Sequence, residues 1–361
     1  MPASPSPELA QIEVGLHGEV LLAATLCSPS GGLPPGRVAA PGMVLIGGTG
    51  GDTRDGDPDP AVAIPPAGGG DGAEPGRSGL LRAIAHRLAA HGVASLRYDK
   101  RGCGRSGGRA DEASYDTDLA DALTAVDWLL GRPECGGVVG VIGHSAGAMI
   151  AGRVNRERPQ LAAVGLLAAL YGPADAMIER NWGRVARYWS EFGPRRQAWL
   201  IEHRPADVVR GFGVEEFLAA VRQGAPTVRL AAHGHTLILR TGRARHDMLH
   251  RQPAEEPRAV RAPALVLHGT ADLNVRVADA WDTVRALRAT GNAAVEPAVL
   301  PGLDHTFRAV SPDWVTRAWE RVSGASLHHP VDVCPLDLIG RWAARVLGEA
   351  PGVGEARPCS P

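Results

Sequence analysis

Lysine is almost missing from this chain: Lys100 stands alone, and every other one of the 38 basic residues is arginine. Against 39 acidic residues the formal net charge is −1, so there is no basic excess to track a phosphate backbone, and nucleic acid is not an expected partner. The arginine preference reads as coding bias, not as a binding device. Cysteine is scarce too. Cys27, Cys103, Cys135, Cys334 and Cys359 are scattered, odd in number and free of any CxxC pair, which argues against a disulfide framework and against a cysteine zinc site. Long apolar runs are also missing: the longest, Leu161 to Tyr171, is too short to span a bilayer. Met1 to Glu13 carries neither a basic stretch nor an apolar one. These absences lead us to expect a soluble, unexported protein of a reducing cytoplasm, with no metal, no organic cofactor and no membrane partner; monomer and homo-oligomer stay equally open.

What the chain does contain is alternation. At 361 residues with 44% hydrophobic content it can bury a sizeable core. Ile12–Leu16 and Glu19–Leu26 read as two strands around a His17-Gly18 turn. Met43–Ile46, Val93–Tyr98, Val138–Ile142, Leu161–Leu170, Ala264–His268 and Ala294–Leu300 are further strands, the apolar ones short enough for the middle of a parallel sheet. Between them, Leu80, Leu81, Ile84 and Leu88 make a helical stripe, as do Leu119, Leu123, Val126 and Leu130. Val277–Thr290 and the region around Leu336–Leu347 complete the set. Strand and helix in turn imply a mostly parallel α/β sheet covered on both faces.

The rhythm stops after Leu170 and resumes at Ala262. Ile178, Trp182, Val185, Trp189 and Phe192 follow a helical spacing that Gly193-Pro194 breaks, and Val214, Phe217, Leu218 and Val221 form a second stripe. The expected organisation is a core of residues 10–172 and 260–348, a mainly helical cap of 173–259 inserted after the strand that follows the elbow helix described next, and loose tails at 1–9 and 349–361. Asp52–Arg77, a long Gly/Pro/Asp stretch without period, is expected at the rim of the site.

The centre of the chain is VVGVIGHSAGAMIAGRV. A β-branched run passes into an Ala- and Met-rich helix within GHSAG, so Ser145 sits at a strand-to-helix elbow, where Gly143 and Gly147 let strand and helix approach closely. A serine hydroxyl is a poor nucleophile near neutral pH; it needs an imidazole, itself held in one tautomer by a carboxylate. Asp272 in HGTADLNV and His305 in LPGLDHTF follow later strands in the order Ser, Asp, His. Asp304 is the competing acid, but neighbours on an extended loop point apart. His328 and His329 sit in a polar stretch, and His144 reads as packing beside the serine. The oxyanion of an acyl-transfer intermediate needs two amides, here those of Ala146 and Thr49, the latter within the glycines Gly47, Gly48, Gly50 and Gly51.

Together GGTGGDTRDG, YDKRGCGRS, GHSAG, HGTAD and GLDH resemble the α/β hydrolase superfamily, and within it the bacterial esterases and serine-aminopeptidase-like hydrolases. The resemblance spans Ile12 to Leu347 apart from the cap. It implies an α/β-hydrolase sheet with Ser145 as nucleophile, Asp272 as acid, His305 as base, and Thr49 and Ala146 as oxyanion donors. The chain departs from the family pattern at Gly47, where a histidine is usual. Asp99, Lys100 and Arg101 are expected to brace the loops near the nucleophile, and Cys103 to pack between Gly102 and Gly104.

The activity expected is cleavage of a small-molecule carboxylic ester or thioester through an acyl-enzyme. An acyltransferase or cyclase using the same triad in a dry, capped pocket is the alternative. Seven of the 16 aromatic residues (eight Trp, four Tyr and four Phe in all) lie between Trp182 and Phe217, and Trp182, Trp189 and Phe192 are the candidates to line such a pocket. A peptidase ranks lower, because no acidic pair is recognisable for a substrate amino terminus. A non-catalytic ligand-binding protein ranks lower still, because the oxyanion loop is intact.

Overall fold

The computed structural model describes residues 9–29, 39–49, 52–59, 77–250 and 255–349. In chain order the elements are β1 (Leu9–His17), β2 (Leu21–Pro29), β3 (Gly42–Ile46), α1 (Leu80–Ala90), β4 (Ala94–Tyr98), α2 (Tyr115–Leu130), β5 (Val139–His144), α3 (Ala146–Glu157) and β6 (Val164–Leu167). There follow α4 (Ala174–Trp182), α5 (Arg184–Arg187), α6 (Trp189–His203), α7 (Pro205–Phe212), α8 (Val214–Gln223), β7 (Thr227–Ala232), β8 (His235–Arg240) and α9 (Gly242–His250). The chain then returns through β9 (Ala264–Gly269), α10 (Val277–Ala289), β10 (Val295–Leu300), α11 (Trp314–Ser323) and α12 (Val333–Glu349). Expectations for Gly50, Gly51, most of the Asp52–Arg77 loop and most of both tails fall outside the described residues.

Eight strands form one sheet in the order β1-β2-β4-β3-β5-β6-β9-β10. The β1–β2 and β2–β4 pairs are antiparallel, and the others are parallel. The wholly apolar strands are the central ones, because a parallel sheet is buried on both faces. Period-2 geometry divides their side chains. Val44, Val141 and Val266 join the core beneath α2, α3 and α10. Met43, Leu45, Ile142, Leu265 and Leu267 join the core under α1 and α12. β10 is only half-buried and carries Pro297, which an edge strand tolerates because one side of its backbone needs no ladder partner.

The chain leaves β3 toward β4 on one side and later places β5 on the other. The strand order therefore reverses at β3/β5, where the two carboxyl ends diverge and leave a crevice in sheets of this kind. Thr49 follows β3 and Ser145 follows β5, so local sequence and topology bring both to that crevice.

Between β6 and β9 the chain differs from its sequence pattern in two respects. The stripe from Ile178 to Phe192 is not one helix: it is divided at Gly183 and Tyr188, and Gly193 (φ 68°, ψ 168°) bends α6. The segment is also not purely helical, since β7 and β8 pair antiparallel across a turn in which His233 and Gly234 both have positive φ (47° and 83°). Such a turn matches the twist of a two-stranded ribbon. Elsewhere β6 is shorter than the apolar run around it, and α12 begins a few residues before Leu336. Among the described residues no helix is long and apolar enough to cross a membrane.

Candidate active site

β5 ends at His144 and α3 begins at Ala146, so Ser145 alone makes the turn, with φ 58° and ψ −123°. A non-glycine residue pays for that conformation, and it persists because the neighbours over-determine it. The Ser145 N–H donates to the Leu167 carbonyl at 2.8 Å. A Cβ on Gly143 would fall onto the Gly147 carbonyl, and one on Gly147 would fall onto the carbonyls of Gly47 and Ile46. Gly48 lies directly beside Ser145, since a Cβ there would stand 3.2 Å from Ser145 Cβ and 3.7 Å from its Oγ. The Ala146 amide heads α3, where the first turn has no intrahelical acceptor to offer.

Asp272 and His305 emerge from the ends of neighbouring strands, β9 and β10. His305 Nδ1–H donates to Asp272 Oδ2 at 2.7 Å, and the Asp272 side chain is fully buried. Its Oδ1 accepts from the Asn274 amide at 2.6 Å and the Val275 amide at 3.0 Å. Burial alone would raise the carboxyl; the His305 charge and hydrogen bond, His268 and these amides outweigh it and bring it to about 2. Asp304 is engaged in its own turn, where its Oδ1 accepts from the Thr306 amide and hydroxyl and from the Arg308 amide. His144 Nε2–H donates to the His305 carbonyl at 2.8 Å, and the two rings stand 4.7 Å apart. Burial first, then the neighbouring His305, pulls His144 down to about 3, so it packs as a neutral ring. His328 and His329 are exposed.

A small cleft opens beside the serine turn, lined by Thr49, Lys100, Tyr115, Asp118, Ala146, Gly147, Ile150 and Arg243. Thr49 and Ala146 thus share one wall of it. Lys100 donates to the Gly48 carbonyl and lies 3.6 Å from Asp118, which also binds Arg243 of α9 at 2.7 Å. Asp99 pairs with Arg54 through two guanidinium nitrogens and the Arg54 amide, and Arg101 pairs with Asp121. Each residue of the Asp99-Lys100-Arg101 turn is thereby tied to a different loop or helix around the site. Burial pushes the Cys103 thiol up to about 11, which leaves it an unreactive packing group.

Trp182, Trp189 and Phe192 lie elsewhere. Trp182 packs on Phe217 at 4.5 Å, Trp189 on Phe212 at 5.3 Å and on His233 at 4.7 Å, and Phe192 on Trp319 at 5.7 Å. None of the three lines the cleft at Thr49 and Ala146.

Sequence reasoning passed over three groups. His268, fully buried on β9, sets its Nε2 3.5 Å from Asp272 Oδ2; its signal was its place in HGTAD, four residues before Asp272. Asp118 and Arg243 stand 125 positions apart, and nothing local marks them as partners. Asp52, beside the glycine loop, is half-buried, and desolvation raises its carboxyl to about 6 against the attraction of Lys100.

The fold is also that of known esterases. An esterase of Pyrococcus furiosus matches with TM-score 0.52 at 17% identity, over 88% of this chain and 91% of that one. Est1E of Butyrivibrio proteoclasticus, solved with ferulic acid bound, matches with TM-score 0.50 at 18% identity, over 88% and 98%. Residues 38–302, most of the chain, match the model of the X-Pro dipeptidyl-peptidase (S15) family. With a serine elbow at the switch point of a mostly parallel sheet, this chain is an α/β hydrolase and belongs to the S15 family.

Proposed function

We propose that this serine hydrolase cleaves a small-molecule carboxylic ester or thioester through an acyl-enzyme. Ser145 Oγ attacks the carbonyl carbon as its proton passes to His305 Nε2. Asp272 holds the imidazole in the required tautomer and stabilises its cation. The amides of Thr49 and Ala146 receive the oxyanion; the bond to the leaving group breaks as His305 returns the proton to it. Water then gives a proton to His305, attacks the acyl-enzyme and releases the acid. The observation that carries this reading is the 2.7 Å bond between His305 and a buried, ionised Asp272, beyond the ends of β9 and β10 on the same carboxyl edge of the sheet as Ser145.

The family match favours a second reading, hydrolysis of a peptide bond after proline. It needs an anion to hold the substrate's ammonium, and the carboxylate in the cleft, Asp118, is already shared by Lys100 and Arg243. That sharing supports the ester reading. The insertion between β6 and β9 serves as a cap whose α9 closes one side of the cleft.

The test is a panel of p-nitrophenyl esters and acyl thioesters of graded length, set beside Xaa-Pro p-nitroanilides, with fluorophosphonate labelling of Ser145. Turnover of esters, with labelling lost in Ser145→Ala, is the expected result. Selective turnover of Xaa-Pro amides would establish the second reading, and labelling that survives Ser145→Ala would overturn the nucleophile.

A further inference from the structure

We propose that Lys100, the one lysine of the chain, is a positioning residue for the oxyanion donor: its ammonium aims and polarises the peptide unit whose N–H, that of Thr49, receives the negative charge. The inference rests on the proposed acyl-enzyme reaction and adds to it a residue outside the triad and the two amides. The carbonyl of Gly48 and the N–H of Thr49 belong to one planar trans peptide and point in opposite directions. A cation at the carbonyl end draws electrons from the N–H at the other end and makes it a stronger donor. Lys100 Nζ donates to that carbonyl.

The fold puts Lys100 there for a simple reason. β3 and β4 run parallel and side by side, so the turns that leave them meet at the carboxyl edge of the sheet. From the turn after β4, Lys100 takes the loop after β3 at two points. Its backbone N–H donates to the Asp52 carbonyl at 3.2 Å, and its side chain reaches back to Gly48. Thr49 lies in the sequence between those points. The loop needs such a hold, because Gly47, Gly48, Gly50 and Gly51 carry no side chain that could fix it. The held peptide is also where the reaction needs it: Gly48 lies beside Ser145, and Lys100 lines the same cleft as Thr49 and Ala146. Among the described residues the Thr49 N–H has no acceptor, which leaves it open to an incoming oxygen.

The ammonium is itself held. Lys100 is 8% exposed and stands 3.6 Å from Asp118, which Arg243 shares at 2.7 Å, and Asp52 also feels its charge. Shielding from water lets a charge act through one peptide that bulk solvent would screen. The residue type matters as well. All the other Lys-or-Arg positions hold arginine. A guanidinium spreads its charge over a planar fork of five donors, whereas an ammonium is a compact point charge that can end on a single carbonyl. The one exception to the arginine preference stands at the carbonyl behind the oxyanion donor. Bracing the loop requires only a hydrogen bond to Gly48; strengthening the donor requires the charge.

Lys100→Gln separates those two roles, because it keeps a neutral N–H donor and loses the charge. The test compares the full chain with Lys100→Gln and Lys100→Met on one p-nitrophenyl ester, with melting curves and fluorophosphonate labelling of Ser145. We expect kcat to fall several-fold in Lys100→Gln and by on the order of tenfold in Lys100→Met, less than the roughly 10²–10³ for losing a donor outright. KM should stay within about twofold, since the interaction is made in the transition state. A trifluoromethyl ketone supplies the readout that a brace would not move. Ser145 Oγ adds to the ketone carbon, the serine proton passes to His305, and the ketone oxygen becomes the oxyanion. NMR of a labelled ketone carbon follows its protonation, which should occur at higher pH in Lys100→Gln than in wild type. Wild-type kcat in Lys100→Gln, or a fall in kcat without that shift, would overturn the proposal and leave Lys100 a brace. If Lys100→Met does not fold, Lys100→Gln decides alone. Failure of the acyl-enzyme reading gives a different result, wild-type protein that is not labelled at Ser145, and that result would overturn both.

Discussion

His305 reaches Asp272 across neighbouring strand ends, Nδ1 to Oδ2 at 2.7 Å, while the acid next to it in the sequence, Asp304, turns its carboxylate back into its own loop. Asp272→Asn should therefore lower kcat by roughly 10⁴ through the wrong histidine tautomer. Asp304→Asn should act on stability and leave kcat within about tenfold, since turn distortion reaches the histidine only indirectly. Steady-state kinetics on one activated ester, with a melting curve for each variant, separates the two; equal losses of kcat would move the acid away from Asp272.

Thr49 lines the cleft beside Ala146, and the proposed donor is its backbone amide. Thr49→Ala keeps the N–H and should cost little. Thr49→Pro removes it and should cost about 2.7–4 kcal/mol, or 10²–10³ in kcat. Circular dichroism must show the proline variant folded. Equal damage from both would assign the work to the hydroxyl and move the oxyanion role to another amide of the loop.

The ring contacts of Trp182 with Phe217 and of Trp189 with Phe212 belong to the packing of the insertion itself. Trp182→Ala and Trp189→Ala should lower Tm, by roughly 2–4 kcal/mol of stability each for a mostly buried aromatic. Activity should fall by a similar factor on short and long acyl chains. A change in chain-length preference without a loss of Tm would instead bring these rings into the substrate pocket.

Asp52 is a half-buried acid that desolvation raises to about 6 from an ordinary 3.8. Between those values the folded protein holds a proton that the unfolded chain has released, so this group makes stability fall as pH rises from about 4 to 6. Asp52→Asn cannot titrate and should remove that slope, with a ceiling of roughly 3 kcal/mol for a shift of this size. Urea unfolding at pH 4, 5, 6 and 7 measures it. An unchanged slope in the variant would show that another group carries the titration.

Much of the scaffold was legible in the residues because it is written locally. Apolar period separates the central strands from the helices, and GHSAG marks the elbow because only a few residue types fit a turn that puts Ser145 at φ 58° against the backbone of Gly47 and Gly48. The β7–β8 ribbon was legible by the same rule, through its His233-Gly234 turn, the counterpart of His17-Gly18, but the helical stripes around it dominated the pattern. What the tertiary structure alone decided is which distant groups meet. Periodicity says which face of an element is apolar, not which element it covers. Asp118 is shared by Lys100 and by Arg243 from 125 positions away, Trp182 packs on Phe217 within the insertion, and Phe192 and Trp199 pack on Trp319 of α11. Those pairings follow from how segments far apart in the chain pack on one another, a long-range outcome that no window of neighbouring residues encodes.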